Sequence, residues 1–448
     1  MTPHRLAGPN PRLIPHTPLE DLACAALFAF FSMQGAIPGI APSAAFEITG
    51  AAPGGLTIVG GILSQALVDL LILFLVLRRP SLLLRQIAVL PAIALLALLA
   101  VASTAWSLDP LLTVRRAIPL ALTGLFGIYF ASRFPLDRQL AILRLAMVAV
   151  ALATVAIVVF VPSIGLDHTP GHAADWQGVF TQKNACGRIM VLATAIVLFG
   201  SRMTRARLVS FAVFLFVLVM SGSRGAWAIE GAILLIWTAL QLARRSSARF
   251  RVILAITAPA IAVAVSAAVA LQLPQLMRLL GRDATLSGRT AIWPQVAHFI
   301  AQRPYLGYGY DAFWRGVSGP SLQIDTAVHF IVEHAHNGFL EICLELGLAG
   351  LTLVAISWVA ALRQIWPLWR AGHIAPIAFP IAILILILLY DLDGNTLLIY
   401  NGIFWPLYVA ALTTVNSVAR DRRHRPVTTA DGILDPHRPP QSVIQGVS

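Results

Sequence analysis

The strongest constraint on this chain is a series of apolar runs, each about 20 residues long, that recurs almost from end to end. A run of that length crosses the hydrocarbon core of a bilayer as a helix. Inside lipid the backbone must satisfy its own hydrogen bonds, and a helix does so within one segment. The 448 residues are 58% hydrophobic and 12% charged, with mean hydropathy +0.79, which excludes an ordinary soluble domain. The expected fold is an all-α polytopic membrane protein with about 12 transmembrane helices. The spans fall at 22–40, 56–77, 86–106, 117–132, 141–164, 184–200, 208–220, 225–242, 252–273, 337–362, 374–390 and 397–418.

Arginine sets the expected orientation. With residues 1–21 in the cytoplasm, every inner connection is basic. Arg5 and Arg12 precede the first span, and that run leads into another, unlike a cleavable signal peptide. Arg78, Arg79, Arg85, Arg133, Arg138, Arg144, Arg202, Arg205 and Arg207 fall in the next inner connections. Arg244, Arg245, Arg249, Arg251, Arg363 and Arg370 follow in the later ones. Residues 22–418 form the helical domain, with one long outer, periplasmic loop at about 273–336. Residues 419–448 form a disordered basic cytoplasmic tail, whose arginines at 420–425 can rest on anionic lipid heads. The formal charge of +12 does not point to nucleic acid, because the cations are dispersed among apolar segments rather than gathered in a patch. Cys24, Cys186 and Cys343 lie scattered in apolar runs and fit neither a disulfide framework nor a metal site.

The basic residues that break this pattern carry the information. They are Arg115, Arg116, Lys183, Arg188, Arg224, Arg278, Arg282, Arg289, Arg303 and Arg315, and Lys183 is the sole lysine of the chain. Arg115 and Arg116 precede the span at 117, Lys183 the span at 184, Arg224 the span at 225, and His336 the span at 337. Arg289 falls in the first turn of an extramembrane helix, with Ser287 as N-cap, Pro294 near its start, and Ile292, Val296, Phe299 and Ile300 as its apolar face. A cation at a helix N-terminus opposes the dipole by about 0.3–1 kcal/mol. An anion held between such cations and the helix ends reverses the sign of both effects, and a diphosphate meets that demand. The alternative is that these arginines reach lipid phosphates or pair with carboxylates, which is the reading for Arg278, Arg282 and Arg315. For Arg115 and Arg116, close in sequence to Asp109, both readings stay open. At Ser221-Gly222-Ser223-Arg224-Gly225, exposed backbone N–H groups and the small residues favour a ligand.

The outer loop also holds Trp293, Trp314 and the turn Gly307-Tyr308-Gly309-Tyr310, whose aromatic faces suit either sugar rings or an interfacial belt. It ends in Glu333-His334-Ala335-His336-Asn337-Gly338, with Glu341 beyond. This is not the one-face spacing of a helical zinc site, so no metal is expected. A histidine before a helix tends toward its neutral form and can take a proton from a sugar hydroxyl. His334 reads as a cap or interface residue and His336 as the base. Asp69, Glu230, Glu341 and Glu345 lie within spans, where an acid costs about 2.5–3.5 kcal/mol near the centre. Glu230 and Glu341 read as groups that face the bundle and orient Arg224 and His336.

Taken together, several segments resemble the O-antigen ligase and polymerase superfamily. They are Trp106-Ser107-Leu108-Asp109-Pro110, Gly178-Val179-Phe180-Thr181-Gln182-Lys183-Asn184 with Gly187, and Gly222-Ser223-Arg224-Gly225. Ser287-Gly288-Arg289 with Ile292-Trp293, Pro304 with Gly307-Tyr308-Gly309, and His334-Ala335-His336-Asn337 follow in the same order, across 106–347. The resemblance implies a lipid-donor (GT-C-like) glycosyltransferase architecture in a bacterial inner membrane, with its site at the periplasmic face and both termini cytoplasmic. The implied donor is a glycan on undecaprenyl diphosphate, and the acceptor a sugar hydroxyl on a lipid-linked chain or lipid A core. Arg224, Arg289 and Lys183 would hold the diphosphate and His336 would activate the acceptor. Gln182, Asn184, Ser223, His334, Asn337, Glu341, Arg115 and Arg116 would support them. No cofactor is implied, and a chain-length regulator is a conceivable protein partner. The element Gln182-Lys183-Asn184 looks closer to the exopolysaccharide polymerase branch than to ligases acting on lipid A core. A transporter for lipid-linked sugars is the rival of another class; it would need charged groups along a path through the bundle and usually an internal repeat.

Overall fold

The structure, a computed structural model, describes residues 17–37, 55–87, 90–168, 174–200, 203–261, 289–315 and 319–423. Among these the regular elements are helices: α1 (Pro18–Ser32), α2 (Gly55–Leu77), α3 (Pro80–Ile87), α4 (Pro91–Ala102), α5 (Pro110–Arg133) and α6 (Leu136–Phe160). There follow α7 (Lys183–Leu198), α8 (Arg205–Met220), α9 (Arg224–Arg245), α10 (248–261) and α11 (Arg289–Gln302). The chain closes with α12 (Ser321–Val328), α13 (Gly338–Arg370), α14 (Ala378–Asp393) and α15 (Phe404–Arg423). Among the described residues, five helices are long and apolar enough to cross a membrane: α2 from Thr57, α5, α6, α9 and α13. With their exposed leucines and isoleucines they make this a polytopic, all-helical membrane protein.

Helix boundaries depart from the apolar runs where a cap outweighs hydropathy. α1 starts before residue 22 because the Thr17 hydroxyl caps Glu20 N–H at 3.2 Å and Pro18 follows, and it stops at Ser32 rather than 40. α5 starts at Pro110, not 117, because Asp109 caps Leu112 N–H at 3.1 Å. Arg115 and Arg116 therefore lie inside this helix and not ahead of it. At the other end of the chain, α15 starts at Phe404, not 397. The preceding residues instead wrap the Asp391 carboxylate, which accepts from Thr396 N–H at 2.7 Å and Leu397 N–H at 3.1 Å. The N-cap expected at Ser287, Arg278, Arg282, the span beyond 261, most of the N-terminal segment and the tail after 423 lie outside the described residues.

The main apolar cluster includes the packing of α5 on α15, where Trp405 Nε1 donates to the Leu120 carbonyl at 2.9 Å, and a separate cluster lies under α11 and residues 308–314. At one end of the bundle Arg133 pairs with Glu20 at 2.8 Å. The opposite end gathers the starts of α5, α7, α9 and α13, the C-terminus of α14 and the loop before α13.

α13 is broken at Gly347, whose φ of +64° resets the helix and whose Cβ position is filled by the Tyr305 backbone. The segment 304–309 occupies the gap. Tyr308 and Gly309 N–H donate to the carbonyls of Leu344 and Glu345 at 2.9 and 3.0 Å. Leu348 N–H donates back to the Pro304 carbonyl at 2.8 Å. The helix groups freed by the break are thus satisfied by the loop.

Candidate functional site

The loop before α13 is fixed from several sides. Glu341, one turn into α13, accepts from Ala335 N–H at 2.6 Å and from Trp314 Nε1 at 2.5 Å. Trp293 of α11 donates to the Ala335 carbonyl at 3.1 Å. Ala335 is therefore held at both its amide and its carbonyl. On the other side of His336, Asn337 caps α13, its Oδ1 accepting from Phe339 and Leu340 N–H at 3.0 and 3.1 Å. Between these clamps His336 adopts φ +51°, a left-handed conformation that costs a non-glycine residue roughly 1–2 kcal/mol.

The two histidines meet ring to ring, centroids 4.2 Å apart. His334 Nδ1 accepts the His336 backbone N–H at 3.1 Å, so a neutral His334 carries its proton on Nε2. Burial, then the charge of His336, Arg188 and Arg289, holds His334 well below the ordinary histidine range. His336 is lowered too, first by burial, then by Arg289 and by Arg188, with Asp393 pulling the other way. Both shifts favour the neutral rings. The His336 ring makes no hydrogen bond among the described residues, so a neutral imidazole is left for a ligand.

The cations around this corner differ in how they are held. Lys183, Arg224 and Arg289 each stand at the first turn of their helix. Arg224 is exposed and has no ion pair or hydrogen bond among the described residues. Arg289 is bound by Asp393, Nη1 to Oδ1 at 2.6 Å and Nη2 to its carbonyl at 2.8 Å. Lys183 pairs with Asp175 at 2.6 Å, and Gly222, at φ +61°, lies so close under that carboxylate that a Cβ would collide with it. The Ser223 hydroxyl donates to Asn184 Oδ1 at 2.9 Å, which ties the start of α9 to the start of α7. Gln182 caps α7 through its backbone only, and its side chain is exposed.

Several expectations change. Arg116 is buried, pairs with Asp311 at 3.1 Å and lies over the Tyr400 ring at 5.4 Å, so its charge serves the packing of 304–315 and not the arginine corner. Arg115 is exposed on α5. Arg315 pairs with Asp109 at 3.1 Å, as the carboxylate reading has it. The aromatic turn is neither a sugar platform nor an interfacial belt. Tyr308, Tyr310 and Trp314 are 3%, 1% and 5% exposed and pack inside the protein, because their loop fills the break in α13. Glu341 is buried and bonds the loop that carries the two histidines. Glu230 accepts from Thr194 at 2.6 Å within the bundle.

Sequence reading counted Arg188 among the exceptional cations but gave it no role, and it passed over Asp393 and Asp175. Arg188 donates to the Asn395 carbonyl at 3.2 Å and stacks on Tyr390 at 5.3 Å, which aims its charge at both histidines. One available signal was the acidic segment Asp391-Leu392-Asp393 closing an apolar run on the arginine-bearing side.

Residues 209–355 match the family described as O-antigen ligase, a stretch that contains Arg224, Arg289, His336 and Glu341. This match, over about a third of the chain, supports a likeness to O-antigen ligases and polymerases. It is 37% identical over 86 residues to the exopolysaccharide production protein ExoQ of Rhizobium meliloti, covering 18% of this chain and 19% of that protein. It is 34% identical over 91 residues to a protein named as a polysaccharide ligase in Rickettsia prowazekii, covering 20% and 22%. A similarly named protein of Rickettsia conorii is 35% identical over 91 residues. The matched stretch spans about a fifth of each of these relatives. The arginine and histidine corner lies largely inside the matched segment.

Proposed function

We propose that this protein is an inner-membrane glycosyltransferase that moves a glycan from undecaprenyl diphosphate to a sugar hydroxyl. The polymerase reaction of exopolysaccharide or O-antigen assembly is favoured over ligation to lipid A core. About 12 spans are expected, with the termini cytoplasmic and the corner at the periplasmic face. Arg133, Arg138, Arg207, Arg244 and Arg251 support that orientation, since all belong to inner connections.

One observation carries the reading: a neutral, unbonded imidazole, fixed by its neighbours, beside guanidinium groups at helix starts. His336 takes the proton of the acceptor hydroxyl as its oxygen bonds to the anomeric carbon. The bond from that carbon to phosphate breaks, and the diphosphate leaves with the electron pair. Arg224 and Arg289, with Lys183 behind them, stabilise the charge that grows on the leaving group. His334 and Arg188 keep His336 neutral, and no metal takes part. Attack from the side opposite the diphosphate inverts the anomeric configuration.

Purified full-length protein in nanodiscs, supplied with a lipid-linked oligosaccharide, is expected to lengthen it without any ion gradient and to invert the linkage. Retention at the anomeric carbon would defeat the single displacement. Movement of lipid-linked sugar across the bilayer without new glycosidic bonds would favour the transporter.

A further inference from the structure

Asp393 closes α14 and occupies Arg289 twice, with its carboxylate on Nη1 and its carbonyl on Nη2. Those are two donors that a phosphate would engage side by side. The same carboxylate reaches the start of α9: a Cβ on Gly225, next to Arg224, would stand 3.6 Å from Oδ2. Its charge also acts on His336. One carboxylate thus stands among three of the four groups assigned above to the donor's diphosphate and the acceptor's proton: Arg224, Arg289 and His336.

The pair is also open. Arg289 and Asp393 side chains are 25% and 52% exposed, against 13% and 25% for Lys183 and Asp175, where Gly222 packs beneath the acid. An ion pair open to water is weak and exchangeable. A diphosphate brings more charge and more acceptor oxygens than one carboxylate, so it can take Arg289 from Asp393; a small monoanion cannot.

We infer that Asp393 is a built-in stand-in for the diphosphate. It holds Arg289 between turnovers, yields to the lipid-linked donor, and returns as the spent polyprenyl diphosphate leaves. It therefore sets specificity, because an anion without the added binding of lipid and sugar has to displace a carboxylate already in place. The inference rests on the reading of the arginine corner given above, and the test separates the two.

Inorganic pyrophosphate binding is measured by calorimetry on the full chain in nanodiscs, for wild type, Asp393→Asn and Asp109→Asn. The last removes a charge from the separate Arg315 pair and keeps a capping side chain. Asp393→Asn is expected to bind pyrophosphate about fivefold more tightly or better, the scale of an exposed ion pair. Adding Arg289→Ala should abolish that gain, and Asp109→Asn should match wild type. In turnover, Asp393→Asn should lower KM for the donor and also lower kcat, because the product is no longer displaced; a merely structural role would raise KM. Equal, Arg289-dependent binding by wild type and Asp393→Asn would overturn the stand-in and leave the diphosphate site intact. A similar gain in Asp109→Asn would overturn it as a general charge effect. No binding in any variant, with donor KM unmoved by Arg289→Ala, would remove the arginine site itself.

Discussion

The histidine corner and the arginine corner adjoin, yet they are built in opposite ways. Ala335 is gripped at its amide by the buried Glu341 and at its carbonyl by the half-buried Trp293, and Asn337 caps the helix that follows, so His336 has little freedom. Arg224 is exposed, and Arg289 is held only by a pair open to water. The difference fits the roles proposed for each. Proton transfer depends on geometry within a hydrogen bond's length, which has to exist before the acceptor arrives. Binding a charged headgroup tolerates movement, because long guanidinium side chains can close on the ligand and gain from it.

Removing the fixed element should cost most. His336→Ala is expected to reduce polymer formation by about 10²–10⁴-fold, the usual worth of a general base, while donor binding survives. Product formed per enzyme, alongside donor affinity, checks both halves. Arg289→Ala or Arg224→Ala should cost about one to two decades in kcat/KM, as expected for a charge-assisted bond of about 1.5–3 kcal/mol, with partial recovery in the lysine variants. Glu341→Ala should blur the contrast by loosening His336. It leaves the Ala335 and Trp314 N–H groups unpaired, and about tenfold lower kcat is expected with roughly 1–3 kcal/mol less stability, read by turnover and thermal unfolding. The smallest effect is on pH. His336 titrates below the ordinary histidine value, so activity should persist on acidification below pH 6.5 and fall only as the ring protonates. Arg289→Gln removes a cation that disfavours the proton and should move this acid limb up, whereas Asp393→Asn should move it down. A pH series of kcat/KM for the three proteins tests the signs.

The apolar runs were legible because bilayer thickness imposes length and composition on every span, whatever its partners. Their ends were less so. Asp109 and Pro110 start α5 well inside what hydropathy reads as loop, and Asp391 draws 396–397 out of what it reads as span. Arg224, Arg289 and Lys183 stood out as cations that break the basic pattern of the other connections, and His336 as a histidine just ahead of an apolar run. Their partners did not. Asp393 meets Arg289 across 104 positions and Asp311 meets Arg116 across 195, and no local pattern encodes such a meeting. The Gly-Tyr-Gly-Tyr turn misled for a related reason: its composition suits an exposed binding turn, whereas its role is to fill a break in a helix far along the chain.

That break bears on how the corner can change over time. A continuous α13 would lock the angular phase of Glu341 to every residue down to Arg370, so a one-residue deletion near 355 would swing the carboxylate by about 100° around the axis. With the rotation reset at Gly347 and the upper turns bolted to residues 308 and 309 instead, the lower half works like a shaft behind a coupling. The aim of the imidazole, which sits ahead of the upper turns, then does not depend on the register of that lower half.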